Sequence, residues 1–106
     1  MKGYKVYNPP LYKDPYYTYS TNMHGHNFLM EYTFNSVSDC WYLDIMDSED
    51  RYIKRGIKIS NGVMSSFRYR GITFEYRVLC TNPEVNKRRS GYDRIEDLLL
   101  LVAVEE

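Results

Sequence analysis

Cysteine is scarce in this chain of 106 residues. Cys40 and Cys80 are the only two, and neither has a partner at CxxC spacing. A small secreted domain held by disulfides carries more. Both are therefore read as reduced thiols, with a single Cys40–Cys80 bridge as the alternative. Net charge is missing as well, because 14 Lys and Arg balance 14 Asp and Glu. A dedicated nucleic-acid binder carries a basic excess, so nucleic acid is not the expected partner. Balanced charge also removes one protection against self-association. Long apolar runs are absent. The longest, Leu98–Val104, has seven residues, whereas a membrane-spanning helix needs about 20, so no membrane anchor is expected. The opening 20 residues are polar, aromatic and broken by prolines, unlike a signal peptide. No GxSxG, HExxH, P-loop or GxGxxG occurs. The chain is not expected to be an enzyme or to need a cofactor.

What remains is ordinary in bulk and unusual in one residue. Hydrophobic residues make up 43% and charged residues 26%, which suits one small globular domain. Tyrosine is over-represented, at 12 residues, and six of these lie in the first 19 positions. Tyrosine combines a broad apolar ring, a polar tip and few rotors to freeze, and so suits surfaces that become dry on docking.

Residues 1–15 have no usable period, and Asn8-Pro9-Pro10 and Asp14-Pro15 oppose helix. They are read as an extended arm whose anchors on a neighbouring protein are Tyr4, Tyr7, Tyr12, Tyr16 and Tyr17. Residues 16–106 are read as one β domain. Tyr16–Thr21 and Phe28–Phe34 form a hairpin around His24-Gly25. In Cys40–Asp47, Trp41, Leu43 and Ile45 share one face, opposite Tyr42, Asp44 and Met46. Tyr52–Ser60 and Ile72–Cys80 are further strands, with an ambiguous piece at Val63–Phe67. Thr81–Asp97 reads as a long loop with one helical turn at Tyr92–Asp97, and Leu98–Val104 as a closing strand. The expected core is Trp41, Leu43, Ile45, Ile57 and Ile59 with part of Leu98–Val104. Six or seven short strands predict an all-β fold, a small antiparallel barrel or a compact sandwich with an extended N-terminal arm.

His24 and His26 are the weak metal candidates, since His-x-His on a strand places both rings on one side. No third ligand lies close in sequence, so turn chemistry is the competing reading. Asp44, Asp47, Glu49 and Asp50 lack the spacing and the glycine of a calcium loop and read as an acidic hairpin tip. Lys87, Arg88 and Arg89 form a basic stretch, read as contacts to a partner. The alternative function is a small β-barrel module for single-stranded nucleic acid, with Tyr69, Phe74 and Tyr76 as stacking rings beside Arg68, Arg70 and Arg77.

One resemblance covers residues 10 to 104. Pro10-Leu11, Tyr17-Thr18-Tyr19-Ser20, Phe28–Phe34, the tryptophan strand Asp39-Cys40-Trp41-Tyr42-Leu43-Asp44-Ile45, Gly56-Ile57-Lys58-Ile59 with Asn61-Gly62, and the closing Leu98–Val104 occur in an order that resembles the baseplate plug proteins of contractile-tailed (myovirus) bacteriophages. The Tyr-rich Met1–Tyr12 and the basic 81–97 stretch depart from that pattern. The resemblance implies a structural, non-enzymatic virion protein of the tail baseplate, assembled in the host cytoplasm. It also implies several copies in a symmetric assembly near the tail axis, with hub, spike and tube proteins as partners.

Overall fold

The structure, a computed structural model, describes residues 3–105. It contains eight strands: β1 Tyr4–Tyr7, β2 Tyr16–Met23, β3 His26–Asn35, β4 Cys40–Asp47, β5 Tyr52–Ile59, β6 Met64–Tyr69, β7 Ile72–Cys80 and β8 Leu98–Glu105. Two short helices, α1 Pro83–Arg88 and α2 Gly91–Arg94, and a 3-10 turn at Ile95–Asp97 separate β7 from β8. Sheet I has the order β1-β8-β7-β6 and sheet II the order β2-β3-β4-β5, each antiparallel throughout.

The two sheets stack as a sandwich and are not joined into a barrel. Their inner faces follow from strand parity. Phe28, Met30 and Tyr32 of β3 and Trp41, Leu43 and Ile45 of β4 meet Phe74, Tyr76 and Val78 of β7 and Leu98, Leu100, Val102 and Val104 of β8. Ile57 and Ile59 of β5 are buried with them. An aromatic cluster bonds the layers: Phe67 stacks on Phe74 at 5.0 Å, and Phe28 of the opposite sheet meets Phe74 edge-on at 5.3 Å. At the end of β4, Ile45, Met46 and Asp47 are all buried, although the register with β3 runs on unbroken and the shifts lie only in the pairing with β5. Met46 keeps the outward parity that alternation assigns to it, opposite half-buried Leu29, but is covered there.

The hairpin turns use the backbone their residues favour. His24 (φ 54°) and Gly25 (φ 80°) make a two-residue connection between Met23 and His26, the left-handed pair that matches strand twist. Arg70 (φ 51°) and Gly71 (φ 79°) do the same between β6 and β7.

Two expectations need correction. The start of the chain is not a separate arm awaiting a neighbour: Tyr4–Tyr7 pairs with Glu105–Val102 of the same chain and extends sheet I. Met1 and Lys2 of the expected arm, and Glu106, lie outside the described residues. Residues 81–97 are not a plain loop. Pro83 starts α1, a position where its missing N–H costs nothing. Ser90 caps α2, its side chain accepting from Asp93 N.

Those turns close one end of the sandwich around the single tryptophan. Trp41 Nε1 donates to Gly91 O at 3.0 Å and to Tyr92 O at 3.2 Å, and its ring stacks on Tyr92 at 5.4 Å. Gly91 N donates to the Asp39 carboxylate at 3.0 Å. A Cβ on Gly91 would collide with the Asp39 backbone carbonyl, so only glycine fits.

Candidate functional site

Antiparallel parity leaves each sheet one face turned away from the core, and the two faces differ in chemistry. On sheet I the outward residues are Tyr4 and Val6 of β1, Leu99, Leu101, Ala103 and Glu105 of β8, Thr73, Glu75, Arg77 and Leu79 of β7, and Met64, Ser66 and Arg68 of β6. Val6 and Met64 are 57% and 59% exposed, and Leu79 and Leu99 stand 36% and 38% exposed. A shallow depression of about 450 Å³ crosses all four strands, with Leu101, Ala103 and Arg77 between Val6 and Met64. Exposed apolar side chains gathered on one sheet face make it the candidate interaction surface. Glu75 and Arg77 are its only central charges, and neither enters an ion pair among the described residues.

The outward face of sheet II is polar and occupied by its own contacts. Tyr16 Oη donates to Glu31 Oε2 at 2.8 Å, Gly56 N donates to Asp44 Oδ1 at 2.7 Å, and Arg55 reaches the other Asp44 oxygen at 3.7 Å. Thr18, Ser20, Thr33 and Lys58 also face outward, with half-buried Tyr42 and Leu29, covered Met46 and exposed Tyr52 as the apolar members of this face.

The tyrosines expected to anchor a partner divide between the two environments. Tyr4, Tyr12 and Tyr16 are exposed. Tyr7 and Tyr17 pack against the chain's own core, a correction to their reading as free anchors. Tyr17 stacks on Tyr32 at 4.6 Å, and its hydroxyl accepts from Tyr12 N at 2.8 Å. Burial pushes the Tyr17 phenol up to about 12 and raises that of Tyr32 still further. Tyr7 Oη accepts from His24 N at 2.7 Å. The core of one small sandwich thus takes in rings that seemed too many for it on sequence, because β1 and β2 lie over the flanks of that core.

The basic stretch also divides. Arg89 donates to Glu96 Oε2 at 2.7 Å and to Asp97 Oδ2 at 3.0 Å, and Lys13 bridges Asp93 at 3.0 Å and Glu96 at 2.7 Å. These contacts lower the Glu96 and Asp93 carboxyls, Lys13 being the leading cause for both, and raise Lys13 and Arg89, Glu96 being the leading cause for both. Arg89 is therefore spent within the chain, while Lys87 and Arg88 stay exposed on α1. Sequence reading could not pair Lys13 with residues 80 positions away.

His24 and His26, the weak metal candidates, are not joined by further ligands among the described residues. His24 sits in the turn, His26 packs edge-on to Tyr69 at 5.3 Å, and no group of three or more potential ligands gathers among the described residues. Asp47 is buried at the hairpin tip and bonded locally, accepting from Glu49 N at 2.9 Å and Arg51 N at 3.0 Å. Cys40 and Cys80 are free, half-buried thiols from opposite sheets that line one cleft of about 260 Å³ beneath the helical turns. The stacking platform required by the nucleic-acid alternative is not there, since Phe74 and Tyr76 are 0% and 6% exposed. No described helix is long and apolar enough to cross a membrane.

Sequence reading missed the outward band of sheet I. The signal was present in Leu98–Val104, where apolar residues occupy both parities. A strand with only one buried face alternates, so a continuous run means that its second face is also built to be covered.

No curated protein and no solved structure matches the chain. A family model described as cyanophage baseplate Pam3 plug gp18 matches residues 6–106, a span that takes in seven strands whole and the second half of β1. With the match running through both sheets and the helical turns between β7 and β8, the chain belongs to the cyanophage baseplate Pam3 plug gp18 family.

Proposed function

We propose that this chain is a structural plug of a phage tail baseplate, without catalytic activity. It is assembled in the host cytoplasm and held in several copies against hub, spike and tube components near the tail axis. The observation that carries the reading is the family match over residues 6–106. The surface assigned to the neighbours is the outward face of sheet I, because it combines an apolar band with an unpaired Glu75 and Arg77. Burial of such a band supplies affinity, and the two charges set register. Exposed Tyr4 flanks the band on β1, and Lys87 and Arg88 are further contact candidates.

The test is binding of the purified chain to tail-hub, spike and tube proteins. Leu101→Asp sets a charge in the middle of the band and abolishes binding, while Thr33→Asp on sheet II leaves it intact. Equal binding by both variants would overturn the assignment of the surface. Binding to none of the tail proteins, together with micromolar affinity for single-stranded DNA that falls steeply with salt, would favour the nucleic-acid alternative. Chelation leaves the melting temperature unchanged, and a fall on adding EDTA would restore His24 and His26 as ligands.

A further inference from the structure

We propose that the edge strand β6 pairs with β6 of a second copy, antiparallel and centred on Ser66, so that two sheets I join into one eight-stranded sheet in the free protein. The proposal concerns the isolated subunit and does not depend on its role as a plug.

The direction of the β6 backbone follows from its neighbours. Val78 N donates to Val63 O at 2.9 Å. At the other end, Tyr69 and Ile72 close a two-residue hairpin, which requires a hydrogen-bonded pair at that position. Hydrogen-bonded pairs alternate along an antiparallel ladder. Ser65 and Phe67 therefore bond to β7, and Met64, Ser66 and Arg68 present their N–H and C=O groups away from the sheet. No backbone bond from a turn or loop engages these three among the described residues.

The other edges are guarded. The β5 edge carries register shifts at its ladder, Gly56 at φ 72° and three basic residues. The β1 edge is four residues long, carries Lys5 and leads to Pro9-Pro10. The β2 edge is preceded by Pro15, has its first outward N–H, that of Tyr16, taken by Asp14 Oδ1 at 3.2 Å, and is crossed by Tyr12. Bulges, lysines, prolines and covering segments are the means by which proteins blunt sheet edges. The β6 edge is the least guarded: Met64–Tyr69 contains no Pro, Gly or Lys and one charged residue, Arg68, and its register with β7 is unbroken.

A second copy suits this edge better than an arbitrary strand. A two-fold axis at Ser66 sets Ser66 opposite Ser66, Met64 opposite Arg68 and Ser65 opposite Phe67, in an isologous contact. No like charges oppose one another, a small residue lies on the axis, and the Arg68 stem covers exposed Met64. The chain's zero net charge adds no repulsion between copies.

The experiment is the molar mass of the full chain in solution by light scattering across a concentration series. The expected result is a rise towards twice the 12.7 kDa chain mass. Ser66→Pro removes an outward donor where an edge strand tolerates proline, so it keeps the fold by circular dichroism and weakens the dimer about tenfold or more. Ser20→Pro, at the corresponding outward position of β2, leaves the dimer intact. If Ser66→Pro does not fold, a charge pair decides: Ser66→Lys and Ser66→Glu are each monomeric, because like charges meet on the axis, and an equal mixture dimerises. A wild-type chain monomeric throughout, a dimer that survives Ser66→Pro but not Ser20→Pro, or a mixture of the two charged variants that stays monomeric overturns the proposal.

Discussion

The outward faces of sheets I and II arise from the same two-residue strand period, yet one is finished and the other is not. Sheet II turns Thr18, Glu31, Thr33 and Lys58 to the surface and ties Glu31 and Asp44 to Tyr16, Gly56 and Arg55. Sheet I turns out Val6, Met64, Leu79 and Leu99 and leaves Glu75 and Arg77 outside any ion pair among the described residues. Folding needs only one apolar face per sheet. The apolar residues on the outer face of sheet I are not required by the core, which is why the proposed docking surface is placed there. Sheet II shows the same fold with outward polar groups that pair with one another.

The sharpest test of this contrast lies within β8, where neighbouring leucines face opposite ways. Leu100 is 1% exposed and packs in the core. Leu100→Ala should cost about 2–5 kcal/mol, the transfer loss plus a cavity. Leu101→Ala should cost about 1 kcal/mol or less, because its side chain is only partly covered. Leu43→Ala, on the buried face of sheet II, should match Leu100→Ala. Urea denaturation measures all three, and similar costs at Leu100 and Leu101 would break the distinction between the faces.

A smaller effect is expected at the edge of sheet II. Gly56 has φ 72°, and a Cβ there would meet nothing within 4 Å. Gly56→Ala therefore isolates backbone strain from packing and should cost about 1–2 kcal/mol. Loss of its bulged shape would also expose a flatter β5 edge to pairing. A stable, newly dimeric Gly56→Ala would show that edge protection, more than conformational need, keeps glycine there.

Acid should weaken the hairpin tip and the helical turns. Asp47 is held below the usual carboxylate range, first by the Arg51 backbone N–H and then by that of Glu49. Lys13 does the same for Asp93 and Glu96. A carboxylate whose folded pKa is depressed adds stability that is present above its unfolded pKa. That stability is lost as pH falls below about 4, through the unfolded and then the folded value. Asp47→Asn should flatten part of the decline in melting temperature between neutral pH and pH 3. An unchanged slope would remove Asp47 from the acid response.

Strand parity was readable from the sequence wherever it was strict. Cys40–Asp47 and Ile72–Cys80 alternate cleanly, and the structure buries Trp41, Leu43 and Ile45 on one side and Phe74, Tyr76 and Val78 on one side. Three features were not readable, each because it depends on residues far apart in the chain. Pairing of β1 with β8 joins residues about a hundred positions apart, and no local pattern encodes it. The helical turns at 83–97 are organised by Trp41, 50 positions from Gly91. Closure into a barrel and stacking as a sandwich share one hydrophobic pattern and differ only in which edges bond. The outward apolar residues of β8 lay in plain view in Leu98–Val104, but a run apolar at both parities needs the sheet's other layer before its outward half can be named.

The smallest effect sharpens the comparison from the polar side. Tyr16 is 56% exposed, and its hydroxyl donates to Glu31. That bond raises the Tyr16 phenol, Glu31 being the leading cause. It lies in water, where both groups find other partners when it breaks. Tyr16→Phe removes the hydroxyl and keeps the ring over β3, so it should change stability by no more than about 0.5 kcal/mol. If sheet II's outer face serves only solvent, the same variant should bind tail-hub, spike and tube proteins like the wild type, measured by titration at fixed salt. A Tyr16→Phe chain of normal stability with weakened binding would mean that the polar face also meets a neighbour, and the division of labour between the faces would fail. Val6→Asp supplies the opposite control, since Val6 is 57% exposed on sheet I: it should leave stability nearly unchanged and weaken binding. Two residues of almost equal exposure would then differ only in the chemistry of the face they stand on.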